Sequence, residues 1–165
     1  MSSRSWLTAA LVLGTGAYAA VASATPAVGF TSTTLATATY EPIDVKGSNQ
    51  PEGDWIAKLK THADSDLYVQ SNVWQPNGSS GWHTHPGFSL ITVTAGTVTA
   101  YHGDDPTCTP HVYTAGMGFI DRGGDHVHLI RNEGTVEARS ITVQLIPDEA
   151  ARRIDVTPAP GNCGF

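Results

Sequence analysis

The chain has 165 residues, a length that suits one domain with one core. Its formal net charge is -6 and it contains no basic run, which argues against nucleic acid or an anionic membrane surface as a partner. It is 40% hydrophobic with 17 Gly and 10 Pro, a balance that predicts short strands joined by turns rather than helices or disorder.

Residues 1–24 read as an export leader. Arg4 supplies a positive start, Leu7 to Ala22 is uncharged and rich in Leu, Val and Ala, and Ala22-Ser23-Ala24 offers a small-residue cleavage site. The apolar run is shorter than the ~20 residues a spanning helix needs, so the mature protein is expected to be secreted or otherwise extracytoplasmic, with no membrane attachment after cleavage. Two cysteines, Cys108 and Cys163, both lie in the exported part and in turn-rich surroundings. An even count in an oxidising compartment predicts one disulfide, which ties the C-terminal tail to a loop.

Residues 25–65 form a region of N-terminal strands and loops. Its first part, 25–40, alternates around Phe30 to Leu35 and suits an edge strand or a loose arm. Short strands are expected at Ile43 to Val45 and within Trp55 to Lys60, separated by the Gly- and Pro-bearing loop 47–53. The barrel core is expected at 66–147. In its first strand, Leu67, Val69 and Val73 share one face. Pro76 to Gly81 reads as a tight turn that delivers the chain into Trp82-His83-Thr84-His85-Pro86-Gly87. Phe88 to Ala95 is strand-like, Gly96 punctuates it, and Thr97 to His102 is expected to pair back as a hairpin. Strands at Val112 to Thr114, Met117 to Asp121, His126 to Ile130 and Val136 to Ile146 follow. Asp148 to Arg153 suits one helical turn, and the tail 148–165 is Pro/Gly-rich towards its end. Strands this short and evenly spaced indicate a single-domain, all-β antiparallel barrel or jelly roll.

Two segments carry chemistry. His83-Thr84-His85 and His126-Val127-His128 are each a His-x-His pair on a strand, and residues i and i+2 of a strand project from one face. Each pair can aim two imidazoles at one point, and imidazole is the commonest protein metal ligand. One such pair is commonplace; two on neighbouring strands of a barrel point to a metal site. Trp82 and Phe88 flank the first pair and suit an apolar rim to a pocket. Tyr101 and His102 suit either a cavity wall or the surface, and His62 and His111 belong to no motif.

The two segments resemble the cupin family over about residues 66–147. The family's first motif, Gly-x5-His-x-His-x3/4-Glu-x6-Gly, is matched by Gly78, His83, His85 and Gly96, with Gly78 one residue closer to the His pair than the motif has it and Ser89 in the place of the Glu. Its second, Gly-x5-Pro-x-Gly-x2-His-x3-Asn, is met by Gly116, His128 and Asn132, without the Pro. Spacing from Asn132 selects His128 as the third ligand, whereas counting from Gly116 lands between the two histidines. His126 is left with three roles: a further ligand, an acid/base beside the site, or a solvated residue at the mouth. The resemblance implies one divalent transition metal on His83, His85 and His128, iron above all, with manganese, nickel, copper or zinc as alternatives. Three neutral imidazoles leave such an ion its full charge and two or three open positions. Ser89, if it points inward, either orients a bound water or makes room. Implied functions are a dioxygenase-like reaction on a small organic molecule, a metal-dependent binding module without turnover, or a sugar isomerase or epimerase. The expected partners are a small molecule and, by resemblance alone, a second copy in a homodimer.

Overall fold

The computed structural model describes residues 25–49, 51 and 53–165; the proposed leader lies outside them. The described residues fold into strands β1 (Val28–Tyr40), β2 (Asp44–Ser48), β3 (Ile56–Lys60), β4 (Ser65–Ser79), β5 (His83–Thr84), β6 (Ser89–Ala95), β7 (Thr97–His102), β8 (His111–Thr114), β9 (Gly118–Asp121), β10 (His128–Arg131), β11 (Ala138–Pro147) and β12 (Ile154–Asp155). The pairings are antiparallel throughout. β2 and β3 make a separate two-stranded ribbon.

The remaining strands form two faces of a barrel. One face runs β1-β4-β11-β6-β9 and the other β12-β5-β10-β7-β8, joined where Arg131 of β10 pairs with Ser79 of β4. β1 lies along almost the whole of β4, so the edge strand expected near the N-terminus is part of the barrel sheet.

Three local expectations are corrected. β7 does not pair back on β6; it pairs with β8 and β10, in the other face. The link is Gly96, at φ +67, where a Cβ would lie 2.6 Å from the Glu137 carbonyl oxygen and 2.8 Å from Ala138 Cα. Only glycine tolerates that approach and that φ together, and the chain passes there from one sheet to the other. Pro76–Gly78 is not a turn but the end of β4, with Asn77 at φ 61. Segment 148–153 carries no helical turn; the chain runs as turn and coil into β12.

Leu67, Val69 and Val73 do share one face; it is only half-buried and turned away from the barrel interior, while Gln70, Asn72 and Trp74 are buried on the inner face of β4. β11 repeats this arrangement with Ser140, Thr142 and Gln144. The interior is therefore divided. One end is an apolar core of Trp74, Val93, Val98, Ala100, Ile130 and Ala138; the other is lined with hydroxyls and amides. Asn72 donates to Thr142 at 2.9 Å, and Gln144 donates to Ser89 at 3.3 Å. A second apolar cluster, Trp82, Tyr101, Leu129 and Cys163, packs under the C-terminal tail.

Candidate metal centre

The polar end of the barrel contains the histidines. His83 lies on β5 directly opposite His128 on β10, so register alone puts both rings on one face. Their ring centroids are 4.3 Å apart, and His85, just beyond β5, completes the group at 4.9 Å from His83 and 5.4 Å from His128. One nitrogen from each ring lies within 4.8 Å of the others. All three are buried.

The two ligands of the first pair are oriented by backbone. His83 Nδ1 is 2.8 Å from the Gly81 carbonyl, and His85 Nδ1 is 2.6 Å from the Arg152 carbonyl. A carbonyl only accepts, so Nδ1 of each ring carries the proton and Nε2 keeps its lone pair for an ion. Burial is the main reason the rings stay neutral. It holds His83 well below the usual 6.5, His85 at about 4 and His128 at about 3, with mutual repulsion among the imidazoles adding to the effect.

A residue that sequence reading missed lies beside the group and forms a second one with His126 and His128. Asp121, the last residue of β9, is buried, with Oδ1 3.4 Å from His128 Nδ1 and 3.4 Å from His126 Nδ1, and Oδ2 3.7 Å from His85 Nε2. Its Oδ1 accepts from the Gly123 backbone N–H at 3.0 Å, whereas Oδ2 and His128 Nδ1 have no hydrogen-bond partner. With the His85 and His128 rings neutral, their approaches to Asp121 are not ion pairs. One carboxylate oxygen and one ring nitrogen, both buried and without a hydrogen-bond partner among the described residues, are donors a divalent cation would satisfy.

The centre opens on a cavity of about 50 Å³. Ser89, Gln70, Gln144 and Thr142 form its polar wall, Trp74, Ile91 and Ile130 its apolar floor, and Arg152 and Arg153 its cationic side. No protein-family model and no curated protein matches the sequence. Among solved structures, the polyketide cyclase RemF from Streptomyces resistomycificus aligns with TM-score 0.53 and 18% identity, over 83% of this chain and 79% of that one. A protein from Klebsiella pneumoniae with a double-stranded β-helix domain aligns with TM-score 0.44 and 23% identity, over 70% and 84%. An oxalate oxidase aligns with TM-score 0.43 and 19% identity over 50% of this chain, which spans 46% of that protein. The chain has the cupin fold.

Within this cupin barrel the sequence-predicted residues fall into three places. His83, His85 and His128 come together. Ser89 is buried on the cavity wall, as its spacing from His85 suggests, and its hydroxyl accepts from Gln144. His126 instead groups with Asp121 and His128, its ring 6.3 Å from that of His128. Trp82 and Phe88 do not line the cavity. Trp82 packs into the cluster beneath the tail, and Phe88 lines a separate cleft beside His62 and Leu145. The physical reason is strand alternation: Trp82 precedes the inward-facing His83, and Phe88 precedes the inward-facing Ser89, so both aromatics turn away.

The C-terminal segment packs beside the histidines. Asp155 pairs with His83 and Ile154 with Thr84; Val156 N–H donates to the Trp82 carbonyl at 3.1 Å, and Arg153 Nη2 donates to the Ser80 carbonyl at 2.8 Å. The Cys108–Cys163 disulfide holds this segment down across a sequence separation of 55.

Proposed function

We propose that the protein is an extracytoplasmic metalloenzyme that holds one divalent transition metal on His83, His85 and His128 and acts, dioxygenase-like, on a small oxygenated organic molecule. The observation that carries this reading is Asp121. A module that only binds needs no proton-handling group, whereas here a carboxylate lies within 4 Å of three histidines beside a polar cavity. The disulfide supports an oxidising compartment. Iron is the metal proposed, on the resemblance of the ligand set.

An ion in the centre supplies Lewis-acid polarisation and, where redox-active, electron transfer. The chain's own groups do the rest. Gln70 Nε2, buried without a partner, and Gln144 Oε1, likewise unpartnered, give the cavity a donor and an acceptor for substrate. Arg152 and Arg153 favour an anionic group on that side. Asp121 Oδ2 is placed to take a proton from substrate and return it, with His126 3.4 Å from its other oxygen. The Asp121–His126 pair also favours a second reading, isomerisation by proton transfer. The outer edge of β1, unpaired among the described residues, is where we place pairing into a homodimer.

Two assays on the iron-loaded protein separate the readings. Oxygen uptake with diketones, flavonols or thiols supports the first. Exchange of substrate hydrogen with deuterated solvent, without oxygen consumption, supports the second. A metal-loaded protein that does neither, and binds the same compounds unchanged, is a binding module.

A further inference from the structure

Buried polar side-chain atoms nearly always have a hydrogen-bond partner. Among the described residues nine lack one within the protein, and six of these belong to residues that line the cavity beside the histidines. Asp121 Oδ2, His128 Nδ1 and Gln144 Oε1 are three of the six. The other three, Ser32 Oγ, Gln70 Nε2 and Trp74 Nε1, come from β1 and β4, in the face of the barrel that does not carry His83 and His128. Register brings them together. Ser32 pairs with Asn72, between Trp74, which pairs with Phe30, and Gln70, which pairs with Thr34. Diagonal neighbours across an antiparallel pair stay within reach of long side chains. Asn72 is committed to β11, donating to Thr142 at 2.9 Å and to Ser140 at 3.4 Å. The inner face of β4 thus alternates uncommitted and committed groups, and the two uncommitted ones flank Ser32.

We propose that Ser32, Gln70 and Trp74 form a substrate subsite that receives an acceptor oxygen, of a carboxylate or a ketone, on a compound of about two to four carbons whose other end reaches the histidines. The proposal rests on the reading of the histidine group as a metal centre acting on an oxygenated molecule, and it narrows that molecule. An indole N–H and an amide NH₂ only donate, and a hydroxyl can do so. The Trp74 ring is fixed in the apolar core, with the Phe30 ring 5.0 Å away, and its N–H is the one polar atom it has to offer. A hydrocarbon end on this wall would leave all three donors buried and unpaired, which is how a site built to bond an oxygen rejects the analogue that lacks it. Size sets the second limit. A benzene ring occupies an apolar cavity of about 150 Å³, and this one measures about 50 Å³. Short diketones therefore fit and flavonols do not. Ser32 lies in β1, outside the span 66–147 that resembles the family motifs, so neither motif points to it.

The test is ligand binding by the full chain loaded with Zn²⁺, which is redox-silent, with pyruvate as the probe. Calorimetry reads the affinity, and the Trp74 indole N–H resonance, assigned by its absence from Trp74→Phe, reads the contact. The resonance is expected to shift on titration. Ser32→Ala and Gln70→Leu are each expected to weaken pyruvate roughly 3- to 10-fold, the worth of one hydrogen bond, with Zn²⁺ affinity unchanged. Acetate and acetone are matched in size, and whichever shifts the resonance more identifies the oxygen as carboxylate or ketone. Phenylpyruvate is expected not to bind; binding as tight as that of pyruvate overturns the size limit. Unchanged pyruvate affinity in both variants, or an indole resonance that stays in place while pyruvate binds, overturns the subsite and leaves its donors to water. The two readings fail separately. Protein that takes up no Zn²⁺, yet whose resonance moves with pyruvate, keeps the subsite and sinks the metal centre. Protein that takes up Zn²⁺ and binds no pyruvate does the reverse.

Discussion

Ser89 and Asp121 face each other across the β6–β9 pairing, with both side chains turned into the barrel. In the motif that the first histidine pair resembles, a Glu stands where Ser89 stands. Here the carboxylate reaches the same space from the neighbouring strand. Relative to that motif a hydroxyl and a carboxylate have exchanged strands, which sets an acid beside His85 and His128.

That exchange predicts unequal effects of two substitutions. Asp121→Asn keeps the shape and removes the charge, and is expected to lower metal affinity roughly 10- to 100-fold. Ser89→Ala should leave affinity close to wild type. Competition against a chromophoric chelator measures both; a Ser89→Ala loss as large as that of Asp121→Asn would contradict the assignment.

Stability of the metal-free protein should fall in mild acid. In the unfolded chain the three histidines titrate near 6.5, whereas burial holds His83 well below that value, His85 at about 4 and His128 at about 3. Below pH 6.5 the unfolded state binds protons that the folded state refuses. The stability is thus complete above about pH 7 and declines from 6.5 towards 4, by roughly 1.4 kcal/mol per pH unit for each histidine. Urea unfolding at pH 7.5, 6 and 5 reads the slope, and a flat profile would show that the rings are not buried neutral.

Reduction of Cys108–Cys163, or Cys163→Ser, is expected to cost roughly 2–4 kcal/mol, because the bridge closes a long loop. The same change should weaken metal binding, since the segment it anchors supplies the Arg152 carbonyl that orients His85. Thermal melts and chelator competition under reducing and oxidising conditions report the two effects separately.

Gly123 and Gly124 share φ +67 but not surroundings. A Cβ on Gly123 would collide with the Gly87 carbonyl, while one on Gly124 meets nothing within 4 Å. Gly124→Ala should therefore cost only the strain of a left-handed residue, about 1–2 kcal/mol. Gly123→Ala should cost more and should also displace Asp121, whose carboxylate accepts the Gly123 N–H. Denaturant titration of both variants, paired with metal affinity, checks the contrast.

The histidines were legible because their spacing is local: i and i+2 on a strand share a face whatever the rest of the chain does. Cys108 and Cys163 were legible from count and context. Asp121 was not, since its role depends on pairing with a residue more than thirty positions earlier. The inner face of β4 was not legible for a related reason. Apolar alternation puts Leu67, Val69 and Val73 on one face, as they are, but does not show that Gln70, Asn72 and Trp74 are the residues that point inward. A polar stripe facing the interior violates the usual pattern where a barrel keeps a wet cavity, and such violations cluster at sites of function. The β6–β7 hairpin failed because Gly96 sends the chain across the barrel instead of back on itself.

The tail laid over the centre sets an order of assembly. A nascent chain displays His83, His85 and His128 before it has made Arg152, β12 or Cys163. Until those last residues arrive, His85 lacks the carbonyl that fixes its proton, and β5 lacks its outer neighbour. The imidazoles are thus written early and set late: their arrangement is complete only once the last turn of the tail is in place.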